Sequence, residues 1–111
     1  MSHTPWHNVC TLDAILPGTG VCALVEGHQI ALFRPTAEEQ IYALDNIDPF
    51  AQASVLSRGL IGEHGGELWV ASPLKKQHFR LSDGHCMENA DFSVRAYSVR
   101  IEEGRVEVAM A

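Results

Sequence analysis

Short runs of β-forming residues, separated by glycine-containing turns, constrain this fold more than any other feature of the sequence. Eight strands are predicted, at residues 6–12, 21–26, 29–34, 40–44, 67–72, 77–81, 95–102 and 105–110. A further short strand is predicted near Leu60, and there is room for at most one helical turn, over residues 50–55. Many short strands without long helices are typical of a sandwich or small barrel. The sequence therefore predicts an all-β fold.

Tight turns indicate how the strands pair. They are predicted at Gly27-His28, Asp83-Gly84 and Glu103-Gly104, where glycine can take the positive φ of a hairpin turn. We therefore expect mainly antiparallel sheets. Residues 21–25 are apolar without alternation, which is typical of a strand covered on both faces. That strand is predicted to be central.

Length, charge and cysteine usage exclude several classes of protein. A chain of 111 residues can bury one core without disulfides or a structural metal, and we predict a single domain over residues 1–111. The formal charge of −6 makes nucleic acids and anionic lipids poor partners. No apolar run has the length of a signal peptide core or membrane span. Three cysteines without a Cys-x-x-Cys pair favour the reducing cytoplasm.

Motifs that would indicate catalysis are missing. There is no Gly-x-Ser-x-Gly elbow, phosphate loop or dinucleotide-binding fingerprint. Cys10 and Cys22 lie in apolar runs and are interpreted as small core residues, whereas Cys86 follows a turn and is a weak, partly exposed candidate nucleophile. Asp45 and Asp48 are either a carboxylate pair or, more often for loop aspartates, turn formers. No catalytic residue is predicted.

The histidines do not have the spacing of a metal site. They show neither the i, i+4 pairing of a helical zinc motif nor paired Cys/His clusters. His85 and Cys86 are adjacent, so in a strand their side chains would point to opposite faces. We therefore predict surface histidines and no bound metal. The histidines are His3, His7, His28, His64, His78 and His85.

The stretch of residues 45–66 is long and loop-rich for so small a chain. Loops of this length are more often functional than incidental, so we expect the functional site here.

Four blocks of sequence, residues 41–50, 56–61, 68–75 and 79–84, resemble in order and spacing the signature region of the Rieske [2Fe-2S] domain. A Rieske domain places Cys-x-His in its first loop and Cys-x-x-His in its second. The two cysteines hold one iron and the two histidines hold the other. The resemblance implies an antiparallel β-sandwich or small barrel with a loop region that forms a tip.

The resemblance also implies which ligands are missing. In the first loop Asp48 stands at the cysteine position and Phe50 at the histidine position. In the second loop Ser72 stands at the cysteine position and Lys75 at the histidine position. A phenyl ring cannot ligate iron, and an ammonium group repels it. We therefore predict that the tip lacks the cluster.

Among relatives without a cluster, the chain most resembles the small subunit of the bacterial assimilatory NAD(P)H-dependent nitrite reductase. The most specific mark is Asp48-Pro49-Phe50 in place of Cys-Pro-His. The resemblance implies a non-catalytic subunit of a cytoplasmic complex that reduces nitrite to ammonium. It further implies that FAD, a [4Fe-4S] centre and sirohaem reside on a separate large subunit, and that this chain carries no cofactor.

Two interpretations of the tip remain open. Apolar anchors rimmed by charge are typical of protein contacts, so the tip is a candidate for docking on the large subunit. Alternatively, the apolar residues only plug the former cluster pocket. The docking candidates are Phe50, Pro73, Leu74, Lys75 and Lys76. The alternative functions are a free-standing Rieske-like binding module and an electron-carrier relative that acts with another oxidoreductase.

Overall fold

Nine strands in two antiparallel sheets make up the described part of the chain in a computed structural model, which covers residues 6–110. The strands are β1 (Trp6–Thr11), β2 (Thr19–Val25), β3 (His28–Arg34), β4 (Tyr42–Asp45), β5 (Leu60–His64), β6 (Glu67–Ala71), β7 (His78–Arg80), β8 (Ala96–Glu102) and β9 (Arg105–Ala109). Three short 3₁₀ turns, Leu12–Ala14, Leu56–Arg58 and Ala90–Phe92, are the helical elements of residues 6–110. None of them is long or apolar enough to cross a membrane. The all-β prediction is confirmed, including the short strand near Leu60.

The strands form one large sheet and one small sheet. The large sheet has the order β1-β9-β8-β4-β3-β2 and curls so that β1 approaches β2. The small sheet has the order β5-β6-β7. Every pairing between neighbouring strands is antiparallel, as the turn chemistry predicts.

Strand β3, unlike β2, is covered on both faces. Its Ile30 and Leu32 pack into the cluster inside the curled sheet, whereas Ala31 and Phe33 pack toward the small sheet. The prediction that residues 21–25 form a central strand is wrong, because β2 is an edge strand and Leu24 is 72% exposed. An apolar run shows no alternation in either location, so the sequence pattern cannot distinguish them.

Two hairpin turns carry positive φ at both central residues, which is the geometry of a type I′ turn. Between β8 and β9 these residues are Glu103 (φ 51°) and Gly104 (φ 77°), as predicted. Between β2 and β3 they are Glu26 (φ 49°) and Gly27 (φ 79°). The second turn lies one residue earlier than predicted, because His28 already pairs with Val25 in the ladder.

No helical turn forms over residues 50–55, where the sequence leaves room for at most one. The N–H of Asp48 instead donates to the carbonyl of Ala53 at 2.8 Å, and Gln52 takes a left-handed φ of 53°. These features close residues 48–53 into a turn, and the 3₁₀ turn follows at Leu56–Arg58.

Candidate functional site

Two loops, residues 46–57 and residues 72–77, form the tip, and Asn46 closes the base of the first. Its amide oxygen accepts from the N–H of Ser57 at 2.7 Å, and its amide nitrogen donates to the carbonyl of Ser54 at 3.2 Å. Its carbonyl accepts from the N–H of Leu56 at 3.0 Å. Asn46 is 3% exposed, so these bonds are shielded from water. Asn46 lies within residues 41–50, the first block that resembles the Rieske signature, and its role in closing the loop becomes visible in the structure.

Asp48 connects the two loops. Its side chain is fully buried, and Oδ1 accepts from the N–H groups of Phe50 at 2.8 Å and Ala51 at 3.2 Å. Its Oδ2 accepts a hydrogen bond from the hydroxyl of Ser72, which is also buried. The turn-former interpretation of Asp48 is therefore confirmed. The two positions that the resemblance assigns to cysteine thus meet, and their side chains bond to each other.

Asp45 has a different role from Asp48. Its carboxylate accepts from the phenol of Tyr97 on β8. Burial of the phenol, together with this carboxylate, raises the pKa of Tyr97 to about 12. Asp45 and Asp48 thus have separate partners, and the carboxylate-pair interpretation is wrong.

Phe50 and Lys75, at the positions that the resemblance assigns to histidine, are less buried than Asp48 and Ser72. Phe50 is half-buried and stacks on Phe92 at 4.6 Å between ring centroids, with Phe79 at 6.4 Å. Lys75 is exposed, as are the other docking candidates of the second loop, Pro73, Leu74 and Lys76. The structure therefore separates Phe50, which packs on aromatic rings, from the exposed second loop.

A [2Fe-2S] cluster does not fit these residues. The four positions that the resemblance assigns to cluster ligands present a carboxylate, a phenyl ring, a hydroxyl and an ammonium group, and no thiolate is among them. The carboxylate and hydroxyl already bond to each other and to backbone groups. Within residues 6–110, no three His, Cys, Asp or Glu side chains converge in a way that could hold a metal ion. His3 lies outside the described residues.

The three cysteines are distributed differently from the prediction. Cys22 is exposed because it lies on the edge strand β2, and Cys86 is fully buried beside Phe79. The core assignment of Cys22 and the partial exposure expected for Cys86 are therefore wrong, while Cys10 is half-buried. Burial raises the pKa of the Cys10 and Cys22 thiols. A raised pKa is the opposite of the shift that activates a thiol as a nucleophile.

Comparison with known proteins defines the class of this domain and then its family. The profile of the Rieske-like [2Fe-2S] domain matches residues 5–109. The NMR structure of the Escherichia coli protein NirD superposes with a TM-score of 0.88 at 60% identity, covering 94% of each chain. The class is thus the Rieske-like domain. A Salmonella typhimurium protein named nitrite reductase (NADH) small subunit is 64% identical over 103 residues, 93% of this chain and 95% of that protein. The chain belongs to the family of nitrite reductase small subunits.

In a second relative, a segment similar to this chain is part of a larger protein. A segment 49% identical over 104 residues, 94% of this chain, accounts for 11% of a Klebsiella oxytoca protein named nitrite reductase [NAD(P)H] large subunit. In that organism, a domain similar to this chain is therefore part of the large polypeptide itself.

We expect the purified protein to contain neither stoichiometric iron nor acid-labile sulfide and to lack visible absorption, because the tip offers no thiolate. Iron and sulfide assays with an absorption spectrum test this expectation. A cluster-bearing Rieske ferredoxin, purified in the same way, is the positive control. Iron and sulfide in equal, stoichiometric amounts would contradict the prediction.

Proposed function

We propose that this chain is the non-catalytic small subunit of a cytoplasmic NAD(P)H-dependent nitrite reductase complex that reduces nitrite to ammonium. The observation that carries the proposal is the fused relative, in which a domain 49% identical belongs to a protein named large subunit. A domain tethered in this way is held at high effective concentration beside the rest of its chain. A separate subunit must reach the same position by binding.

The chemistry of the tip supports an accessory role. Electron transfer through a Rieske domain depends on the thiolate and imidazole ligands of the cluster. The positions that the resemblance assigns to these ligands hold Asp48, Phe50, Ser72 and Lys75. We therefore assign the redox groups, expected to be FAD, a [4Fe-4S] centre and sirohaem, to the large subunit. The electron-carrier alternative is disfavoured for the same reason.

The core and the thiols are compatible with the proposed single domain and the proposed cytoplasmic location. Strand β3 contributes side chains to both hydrophobic clusters, which supports a single domain over residues 1–111. The exposed thiol of Cys22 and the buried thiol of Cys86 are both free. Free thiols of this kind persist in reducing compartments, which supports a cytoplasmic location.

Affinity purification of the tagged chain from cells grown on nitrite is expected to recover a large protein with the visible absorption of sirohaem. Cells that express the tag alone provide the control. Recovery of a different oxidoreductase, or of no sirohaem protein, would contradict the proposed function and favour the free-standing binding module.

A further inference from the structure

One face of the small sheet points away from the core. In the ladder Leu60 lies opposite Ala71, and Ala71 lies opposite His78. Directly opposed residues share a face of a sheet, so these three side chains lie on one side. Their sequence neighbours Val70 and Phe79 are fully buried in the cluster beneath the sheet. The row that contains Leu60 is therefore the outer face.

Leu60 is an unusually exposed apolar residue on this face. It is 80% exposed, and it borders a groove of about 460 Å³ between the start of β5 and the loop of residues 72–77. Ala71 and Pro73 add apolar surface to the groove. Exposed apolar surface bordered by polar groups is typical of a protein contact.

The rim of the groove presents two cations in a negatively charged protein. Arg58 and Lys76 line it, whereas Asp48, buried behind Ser72, and Glu88, bonded to His78, lie outside the lining. Neither cation forms an ion pair within residues 6–110. The chain as a whole has a formal charge of −6. The two exposed cations at the rim, unpaired among the described residues, are complementary to an acidic surface.

Arg80 lies on the same face as Leu60 but, unlike Arg58 and Lys76, it has acidic partners within the chain. Its guanidinium bonds to Asp83 at 2.6 Å and to Glu67 at 3.1 Å, and it lies over the ring of Trp69. The hydrogen bond from Arg80 lowers the pKa of Asp83 to about 2. The charge of Arg80 is thus compensated within the chain, whereas those of Arg58 and Lys76 are available to a partner.

We infer that this groove docks on an apolar patch of the large subunit that is bordered by acidic side chains. Leu60 is the apolar anchor of the contact, and Arg58 and Lys76 form its charged rim. The inference rests on the proposed function and locates the contact. It retains Pro73 and Lys76 from the predicted docking set. Phe50 is not part of the groove, because its ring packs against Phe79 and Phe92.

Charge also argues against a second copy of this chain as the occupant. A two-fold symmetric contact places the same patch on both sides of the interface. Two such grooves would bring Arg58 and Lys76 of each copy against the same cations of the other. Like charges held together in this way oppose association. An acidic partner has no such penalty.

The test is the dissociation constant of the chain for its purified large subunit. We expect Leu60→Glu to weaken binding by about tenfold or more, because it places a carboxylate on the apolar anchor. Leu24→Glu is the matched control, since Leu24 is 72% exposed but lies on β2 of the other sheet. It should change binding by less than about twofold, because substitutions outside a contact leave its affinity almost unchanged. Thermal unfolding of each variant verifies that the fold is intact.

Charge-reversal variants test the rim of the groove independently of its apolar anchor. Arg58→Glu should slow association at low salt and weaken binding, whereas Arg105→Glu, an exposed arginine of β9, should do neither. If the wild type binds and both groove variants bind equally well, the inference is overturned and the proposed function stands. If the wild type does not bind, both are overturned. If the free chain dimerises and Leu60→Glu abolishes the dimer, a second copy is the occupant and the inference is overturned.

Discussion

Replacing Asp48 by alanine is expected to lower the free energy of unfolding by about 3–5 kcal/mol. The substitution removes the acceptor for three donors at once, namely the N–H groups of Phe50 and Ala51 and the hydroxyl of Ser72. Asp48 is fully buried, so water cannot readily replace the lost bonds. In a domain of this size such a loss lowers Tm by about 15 °C or more.

Chemical and thermal unfolding of the variant, followed by circular dichroism, measure this loss. Asp13→Ala is the matched control, because Asp13 is an exposed aspartate and its removal changes the net charge by the same amount. Ser72→Ala should cost less than Asp48→Ala, since it leaves both backbone bonds to Oδ1 in place. The two single variants and the double variant form a cycle that measures the coupling between the loops. A loss for Asp48→Ala no larger than that of the control would contradict the proposed connection.

Replacing Gly84 by alanine is expected to destabilise the fold by more than about 3 kcal/mol or to prevent folding. An added Cβ would lie 2.0 Å from the carbonyl oxygen of Val94. That oxygen belongs to the backbone, and the two residues are already joined by a bond of 3.0 Å from the N–H of Val94 to the carbonyl of Gly84. Neither segment can move away without losing this contact. The left-handed φ of +77° at Gly84 adds a further penalty for alanine.

The variant Gly104→Ala separates the steric clash of the added Cβ from the backbone penalty of a left-handed φ. Gly104 has the same φ of +77°, but an added Cβ there would meet nothing within 4 Å. It should therefore cost only the backbone penalty, about 1–2 kcal/mol. Urea unfolding of both variants, together with soluble yield, gives the comparison. Equal destabilisation of the two would mean that the close approach of Val94 contributes nothing.

Local features of the sequence predicted the strands and most of the turn chemistry. Alternating and apolar runs mark the strands, and Gly104 marks its hairpin, because these preferences depend on residues a few positions apart. The long loop region was recognised in the same way, as the stretch where β-forming runs stop. The fit of the Rieske signature then predicted which four side chains occupy the former ligand positions.

Features that depend on neighbours from distant parts of the chain could not be predicted locally. Cys22 and Leu24 lie on the edge strand β2, on the face opposite to that of the buried Val25, and both are exposed. Cys86 is buried because its segment pairs with Phe79. From their local sequences, Cys22 was expected to be buried and Cys86 to be partly exposed. An apolar run or a turn does not reveal which distant residues pack against it.

By itself, the sequence determined that this chain is an all-β, Rieske-like protein, and the resemblance assigns the ligand positions of the tip to residues other than cysteine and histidine. Ligand loss is a matter of residue identity, so no coordinates are needed to recognise it. Only the tertiary structure decided what replaces the ligands. The carboxylate of Asp48 and the hydroxyl of Ser72 are 24 residues apart in the chain, and they bond because folding buries them side by side. The tertiary structure likewise brought Leu60, Arg58 and Lys76 to one groove, since sheet pairing and loop packing join segments that are separate in sequence.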